Sequence, residues 1–389
     1  MTPQTAFLSA KPGWPDEAGV TRISGMVIPQ SFGLRRDAPP RGKILSDAFW
    51  QNYDCTTLFY MAMHDSATAK LHLIAPPLMN FAALIPRAQF FVDGQKLAPP
   101  RLRHGEKFDH LVFDAAPKGV TLSMVLDGTE AEMPVHVCDP VRFAGRRVLY
   151  TLSKNNDLAW ISDWMLWHQR KHKADAVLFV DNDSTSYGPD ALRATLGAVE
   201  GYDTTMLVQV PLRYGPGAAN STKQSDGEFL QTALMNAFWL LSLRYARAIL
   251  NVDVDELIVS AKGEAIFDAV ENARYGIVMA TGQWRYARPG IADVRHRDHT
   301  RTLPNDSSCP PKYCLRPDGF AARQQLKVHG VSNFKRVPFV NRHDFSFLHC
   351  RAISNSWNYT RGNEDASTMV EDGATRAMLN SVFPDAVAA

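Results

Sequence analysis

Residues 246–257 read ARAILNVDVDEL, an apolar run that passes directly into acidic residues. The apolar part predicts a buried strand, and Asp253 and Asp255, two positions apart, then leave its end on one face of the sheet. Two desolvated carboxylates repel each other, and a divalent cation is the usual way to neutralise them. The stretch therefore predicts a metal site at a sheet edge. The plainer alternative is a strand-to-loop junction with two solvated Asp residues, because Asp-x-Asp alone is a weak motif.

The segments before this stretch alternate between strand and helix patterns. Apolar runs predict strands at 148–152, 176–180 and 205–210. Amphipathic segments between the strands predict helices, so the alternation indicates a largely parallel sheet covered on both faces. The loops after Leu152, Val180 and Val252 then lie at strand carboxyl ends and converge on one crevice, where α/β sheets bind ligands. We predict an α/β domain with a Rossmann-like, mostly parallel sheet over residues 146–389.

Residues 1–145 have a different rhythm. Short alternating runs precede Asp93-Gly94 and Asp127-Gly128, which is a β-hairpin signal, and long helical patterns are absent. We predict a small antiparallel, β-sandwich-like domain over 1–145. Accessory carbohydrate binding and packing or oligomerisation are equally open as its role.

Composition narrows the class of protein. The 389 residues carry a formal charge of +2, which is too balanced to favour a nucleic-acid partner. Five widely spaced cysteines argue against a disulfide framework and a structural zinc. The N-terminus lacks the basic start and apolar core of a signal peptide, and no apolar run is long enough to cross a membrane. We expect a cytoplasmic protein without a transmembrane segment; peripheral membrane association through a partner stays open.

Four blocks of sequence point to one family. They are 151–156 (TLSKNN) with 163–168 (DWMLWH), 180–185 (VDNDST), 253–257 (DVDEL), and 349–354 (HCRAIS) with Trp357 and 361–362 (RG). In order and spacing these blocks resemble family-2-like and family-92 glycosyltransferases of the GT-A fold, over about residues 147–365. The resemblance implies a metal-dependent enzyme that moves a sugar from a nucleoside-diphosphate donor to a glycan or lipid-linked saccharide acceptor. The expected nucleotide is UDP, and the anomeric centre is expected to be inverted.

The resemblance also implies a division of the crevice. Asp253, Asp255 and His349 would hold Mn²⁺ or Mg²⁺, since hard cations suit carboxylate oxygens. The donor nucleotide would contact residues at the first two strand ends and three later cations, which are Lys154, Asn155, Asp181, Asn182, Lys312, Arg316 and Arg361. Plainer roles stay open for these residues. Asp181 and Asn182 could belong to a strand-to-helix cap with Ser184 as N-cap, and Lys312, Arg316 and Arg361 could be ordinary solvated charges.

Other assignments keep their alternatives. Glu256 is either a partner of the metal ligands or a strand-edge residue, and His329 and His343 compete with His349. Inversion requires a carboxylate base, and we name Glu364 as catalytic beside Asp253 and Asp255. The other candidates for the base are Asp318, Asp344 and Asp365. Trp284 and Trp357 are candidates for aromatic rings on which the acceptor sugar stacks. Residues 287–348, rich in Arg and His, are expected to form an excursion over the site.

The chain departs from the family pattern at Asn156, where the family has Glu. Asp163, Leu257 and Cys350 are further departures. The missing carboxylate at Asn156 favours a second interpretation, a degenerate glycosyltransferase-like protein that binds glycans without turnover. A nucleotidyltransferase would usually carry a Gly-rich phosphate loop after the first strand, and residues 152–156 contain no glycine.

Overall fold

The computed structural model describes residues 20–38, 47–216, 229–288, 290–304, 306, 309–332, 341–353 and 368–383, with the backbone alone for Ala48 and residues 341–343. The strands, in chain order, are β1 (Val20–Arg22), β2 (Met26–Val27), β3 (Thr57–Phe59), β4 (Met61–Asp65), β5 (Lys70–Ala75), β6 (Gln89–Val92), β7 (Gln95–Lys96), β8 (Arg101–His104), β9 (Asp109–Phe113), β10 (Thr121–Leu126), β11 (Thr129–Val137), β12 (Arg147–Ser153), β13 (Ala176–Asp181), β14 (Thr204–Gln209), β15 (Ala248–Asn251), β16 (Glu256–Ser260), β17 (Ile277–Arg285), β18 (Arg301–Thr302), β19 (Cys309–Leu315), β20 (Leu326–Lys327), β21 (Gly330–Val331), β22 (Asn341–Cys350) and β23 (Val370–Glu371). The α-helices are α1 (Asp47–Asn52), α2 (Leu158–His172), α3 (Pro189–Ala198), α4 (Leu230–Leu241), α5 (Ile266–Glu271) and α6 (Gly373–Asn380). Short 3-10 helices lie at Gln30–Phe32, Met79–Leu84, Leu243–Tyr245, His296–Asp298 and Ala321–Arg323.

The larger sheet in the described part of the chain has nine strands, in the order β1-β14-β13-β12-β15-β19-β17-β22-β16. Neighbours from β1 to β15 are parallel, as the alternation predicted. Beyond β15 the sheet is mixed: β19 is antiparallel to β15 and β17, and β22 is parallel to β17 but antiparallel to β16. The described part of the segment between β17 and β19 contains no α-helix, and without a crossover helix β19 returns antiparallel to β17.

Both faces of the parallel half are covered. Along β12, Tyr150 enters one core, where its ring lies 6.5 Å from that of Phe238 on α4, and Leu149 enters the opposite core. Trp164 of α2 packs in that second core, with its ring 6.3 Å from Phe179 of β13. Consecutive strand residues point to opposite faces, so these apolar runs must be buried on both sides.

The helices follow their sequence signals. Asp157 caps α2 by accepting a hydrogen bond from the backbone N–H of Ala159 at 2.7 Å, and α3 begins at Pro189. No helix among the described residues is both long and apolar enough to cross a bilayer. The five cysteines are all buried, free thiols in the structure.

The smaller of the two large sheets has eight strands, in the order β7-β6-β10-β11-β4-β5-β9-β8. Its pairs are antiparallel except β11 with β4. The sheet bends over its own core, because the ring of Phe90 on β6 lies 5.1 Å from that of Phe113 on β9. Asp93-Gly94 and Asp127-Gly128 have positive φ angles and form the predicted hairpin turns.

The two sheets do not divide cleanly at residue 145. β1 pairs with β14, with Val20 opposite Leu207, so a strand from the first 145 residues belongs to the larger sheet. Met61 and Met63 of β4 share a core with α4. The predicted boundary therefore has to be corrected at β1, because the chain enters the larger sheet before it builds the smaller one.

Candidate metal and ligand site

The carboxyl ends of three neighbouring parallel strands form one edge of the larger sheet. Ser153 at the end of β12 is in register with Asp181 at the end of β13. β15 pairs with β12 and ends at Asn251, two residues before Asp253. The predicted convergence of these loops is confirmed, because parallel strands carry their carboxyl ends to the same edge.

A buried cluster of Asp255, Glu256 and His349 lies at this edge. One ligand atom from each residue lies within 4.8 Å of the other two, an arrangement that could hold a metal ion. The residues are 4%, 2% and 9% exposed, and Glu256 of β16 pairs directly with His349 of β22. His349 Nε2 and Asp255 Oδ2 lie 3.1 Å apart. The two carboxylates suit Mn²⁺ or Mg²⁺, and the imidazole is a ligand that divalent transition metals also accept.

The cluster differs from the predicted ligand set at Asp253. The structure joins Asp255 and His349 as expected, but the third member is Glu256, for which the sequence leaves open a role beside the metal ligands or at a strand edge. Asp253 instead binds Lys312, with 2.5 Å between Oδ2 and Nζ. Antiparallel β19 brings Lys312 to this edge, because Tyr313 pairs with Asn251.

Lys312 is completely buried beneath the acidic residues. Its Nζ also lies 3.2 Å from Oε2 of Glu256, and its side chain is 0% exposed. Burial lowers the pKa of Lys312, but the charges of Asp253 and Glu256 outweigh it and raise that pKa above its usual value. A fully buried ammonium does not reach a diphosphate in the crevice, so the predicted diphosphate contact has to be corrected to an internal ion pair.

The protonation of the cluster is set by burial and by neighbouring charge. Burial raises the pKa of Glu256 to about 7, against the opposing influence of Lys312. Burial lowers the pKa of His349, but the charge and hydrogen bond of Asp255 dominate and raise it to about 10. The imidazole also stacks on Trp284, with ring centroids 4.0 Å apart. A metal ion at this cluster must therefore displace a proton from His349.

The opposite side of the crevice is a hydrogen-bonded loop pair. Asn155, with φ 53°, accepts the backbone N–H of Thr185 at 2.7 Å, and its own N–H donates to Ser184 Oγ at 2.8 Å. Ser184 Oγ donates to Asp181, and burial raises the pKa of Asp181. The loops after β12 and β13 thus form one polar wall, and half-buried Lys154 lies close enough for its charge to act on Asp181.

Asn182 holds the sheet edge together. Its Nδ2 donates to the carbonyls of Val210 and Leu212, both at 2.8 Å, and these carbonyls follow β14. Both amide protons are therefore engaged within the protein, which gives Asn182 a structural role, and its contact with the donor nucleotide stays a prediction. The N-cap of α3 is Gly188, so Ser184 serves the loop and does not cap the helix.

Arg316 lies at the opposite edge of the sheet. It follows the end of β19, where Leu315 pairs with Ile249, and it donates to the carbonyl of Glu271 at 2.7 Å. The exposed Asp318 pairs with Arg316 at 2.8 Å. Because β19 is antiparallel to β15, its carboxyl end points away from the crevice, which corrects the predicted diphosphate contact and removes Asp318 as a base.

Of the remaining predicted residues, the structure describes the side chains of only two, Asp344 and His329. Asp344 lies at the far end of the β16–β22 pair, where it pairs with Lys262 at 3.4 Å, and His329 is exposed with Nδ1 3.2 Å from the carbonyl of Pro311. Outside the described residues or side chains lie His343, Trp357, Arg361, Glu364 and Asp365.

A second layer supports the cluster from the Arg- and His-rich excursion. His296 Nε2 donates to the carbonyl of Val254, between Asp253 and Asp255, at 2.9 Å. Asp163 of α2 binds Arg295 through both carboxylate oxygens, at 2.5 and 2.8 Å. His299 Nε2 accepts the backbone N–H of Ala352, three residues after His349, at 3.2 Å. We call Arg295–His299 the brace. The sequence indicates the excursion but not the contacts by which these residues support the cluster.

A scan against protein-family models and a search of curated proteins found no match to this chain. The function is therefore inferred from the geometry and chemistry of the site.

Proposed function

We propose that the chain is a metal-dependent glycosyltransferase with a GT-A, Rossmann-like fold. It would transfer a sugar from a nucleoside diphosphate, UDP above all, to a glycan or lipid-linked saccharide acceptor with inversion. One observation carries the proposal: the Asp255–Glu256–His349 cluster lies at the same sheet edge as the polar wall of Asn155 and Asp181.

The two halves of this edge suit the two ends of a nucleotide-activated donor. Asp255, Glu256 and His349 would hold Mn²⁺ or Mg²⁺, which supplies a Lewis acid that offsets charge on the leaving diphosphate. Asp181 is a buried carboxylate that can accept a hydrogen bond from a ribose hydroxyl or a pyrimidine N–H. Asn155 and Ser184 hold that carboxylate in place. Hydrogen-bond acceptors that are fixed in this way would orient the nucleotide sugar before the reaction.

Two predicted residues complete the proposal from outside the described part of the chain. Glu364 remains our candidate for the base that deprotonates the acceptor hydroxyl, and Arg361 remains a candidate contact for the diphosphate. Asp318 and Asp344 lie at the opposite edge of the sheet, so neither competes with Glu364.

The test is calorimetric titration of the full chain with nucleoside diphosphates, with and without Mn²⁺. We expect binding that depends on Mn²⁺ and is lost in Asp255→Asn. Asp114→Asn is the matched control, because Asp114 is an exposed residue that pairs with Arg101 of the smaller sheet, and its substitution should leave binding unchanged. Binding that is equal in Asp255→Asn and the wild type would refute the proposed metal site.

A degenerate, glycan-binding protein is the second candidate. Asn156, at the position where the family has Glu, is buried and donates from Nδ2 to Ser153 Oγ at 2.8 Å. No carboxylate is available at that position. Release of UDP from UDP-sugars in the presence of Mn²⁺ and acceptor glycans favours the enzyme; glycan binding without any turnover favours the second candidate.

A further inference from the structure

Lys312 places a permanent positive charge inside the acidic cluster. Its Nζ lies 2.5 Å from Asp253 Oδ2 and 3.2 Å from Glu256 Oε2, and no part of the side chain is exposed. The ammonium reaches this point from β19, a different strand from those that carry the acids. It bridges two carboxylates, which is the position that a second cation would take in a two-metal site.

Glu256 divides its carboxylate between two partners. The described contacts to its oxygens both involve Oε2, which accepts the backbone N–H of Asp253 at 2.9 Å and faces Lys312. A cation shared with Asp255 and His349 would therefore bind the same carboxylate that faces Lys312. A metal bound there lies close to the ammonium, and like charges so close repel.

The charges of the cluster match a single divalent ion. Asp253, Asp255 and Glu256, when ionised, carry three negative charges, and Lys312 returns one positive charge. With a neutral imidazole the sum is two negative charges, which one divalent cation neutralises. Lys312 already lies against Asp253 Oδ2 and Glu256 Oε2, so a second metal ion between these two oxygens would have to displace the ammonium.

We propose that Lys312 is a built-in cation that replaces a second metal ion and weakens the binding of the first. The cluster then takes one exchangeable divalent cation per chain and responds to its concentration. This inference rests on the proposed metal-dependent function and specifies its metal stoichiometry.

The experiment titrates the full-length protein with Mn²⁺ alone and follows the paramagnetic resonance signal of the free ion. We expect one Mn²⁺ per chain in the wild type. Lys312→Met removes the competing charge with little change in volume, and its Mn²⁺ dissociation constant should fall about ten-fold or more. Lys312→Arg keeps the charge and should retain the weaker binding.

Lys262→Met is the matched control. It also removes one lysine charge, but at the far end of the β16–β22 pair that carries Glu256 and His349, where Lys262 faces Asp344. We expect its Mn²⁺ binding to equal that of the wild type. Because Lys312→Met leaves buried carboxylates without their partner, thermal unfolding is also measured: Mn²⁺ should raise the melting temperature more in this variant than in the wild type.

Each other outcome overturns the inference. Unchanged or weaker Mn²⁺ binding in folded Lys312→Met would show that the ammonium does not compete with the metal, while the proposed function would stand. Equal tightening in Lys262→Met would show a general effect of net charge. A wild-type protein that binds no Mn²⁺ would contradict the proposed function itself and the inference with it.

Discussion

At the level of single residues, burying the ionisable groups of the Asp255–Glu256–His349 cluster costs folding free energy when no metal ion is bound. Glu256 and His349 are buried, and both hold protons at a pH at which the free amino acids would not. The proton on Glu256 removes a buried negative charge, and the proton on His349 supplies a positive charge that offsets Asp255. Metal binding must release them, so proton and metal compete for the same atoms.

Metal affinity should therefore increase with pH. Below pH 7 a metal ion displaces protons from Glu256 and His349, and between pH 7 and 10 it displaces the His349 proton alone. We expect Mn²⁺ binding to tighten from pH 6 to pH 9, with proton release visible as a buffer dependence of the calorimetric heat. An affinity that is constant over this range would contradict the assignment of His349 as a ligand.

The stability of the metal-free protein should change in the opposite direction. Both pKa values are higher in the folded protein than in the unfolded chain, so the folded state holds more protons. Stability then falls as pH rises, from about pH 4.5 to 7 through Glu256 and from about pH 6.5 to 10 through His349. Melting temperatures measured in chelator and in Mn²⁺ should diverge with increasing pH.

At the scale of elements, the brace joins α2 to both parts of the cluster. His296 holds the carbonyl of Val254, His299 holds the amide of Ala352, and Asp163 fixes Arg295 from α2. Neither histidine belongs to the ligand cluster. They fix the backbone from which Asp255 and His349 project, and such support commonly tunes metal affinity.

We expect His296→Ala to weaken Mn²⁺ binding although His296 is not a ligand. It should also cost about 1–3 kcal/mol of folding free energy, because the Val254 carbonyl loses its buried donor. His296→Gln keeps an N–H at a similar reach and should restore part of the metal affinity. The two measurements are Mn²⁺ titration and chemical denaturation; a loss of stability with unchanged Mn²⁺ affinity would make the brace purely structural.

At the scale of the whole molecule, the sequence is informative where function depends on consecutive residues and less so where it depends on distant pairing. Asp255 could be predicted because it follows an apolar strand, and His349 because its block resembles a family. The partnership of Lys312 with Asp253 and Glu256 could not, because it requires β19 to return antiparallel beside β15. The same reversal carries Arg316 away from the crevice. Strand direction is decided by tertiary contacts that local pattern does not record.

The most direct test of the account is a crystal structure of the full chain with Mn²⁺ and UDP, with the metal located by its anomalous scattering. We predict one Mn²⁺ among Asp255, Glu256 and His349, adjoining the diphosphate. The nucleoside should contact the loops that contain Asn155 and Asp181, and residues 1–145 should make no contact with it. Manganese bound elsewhere, or a base held by the smaller sheet, would contradict the account.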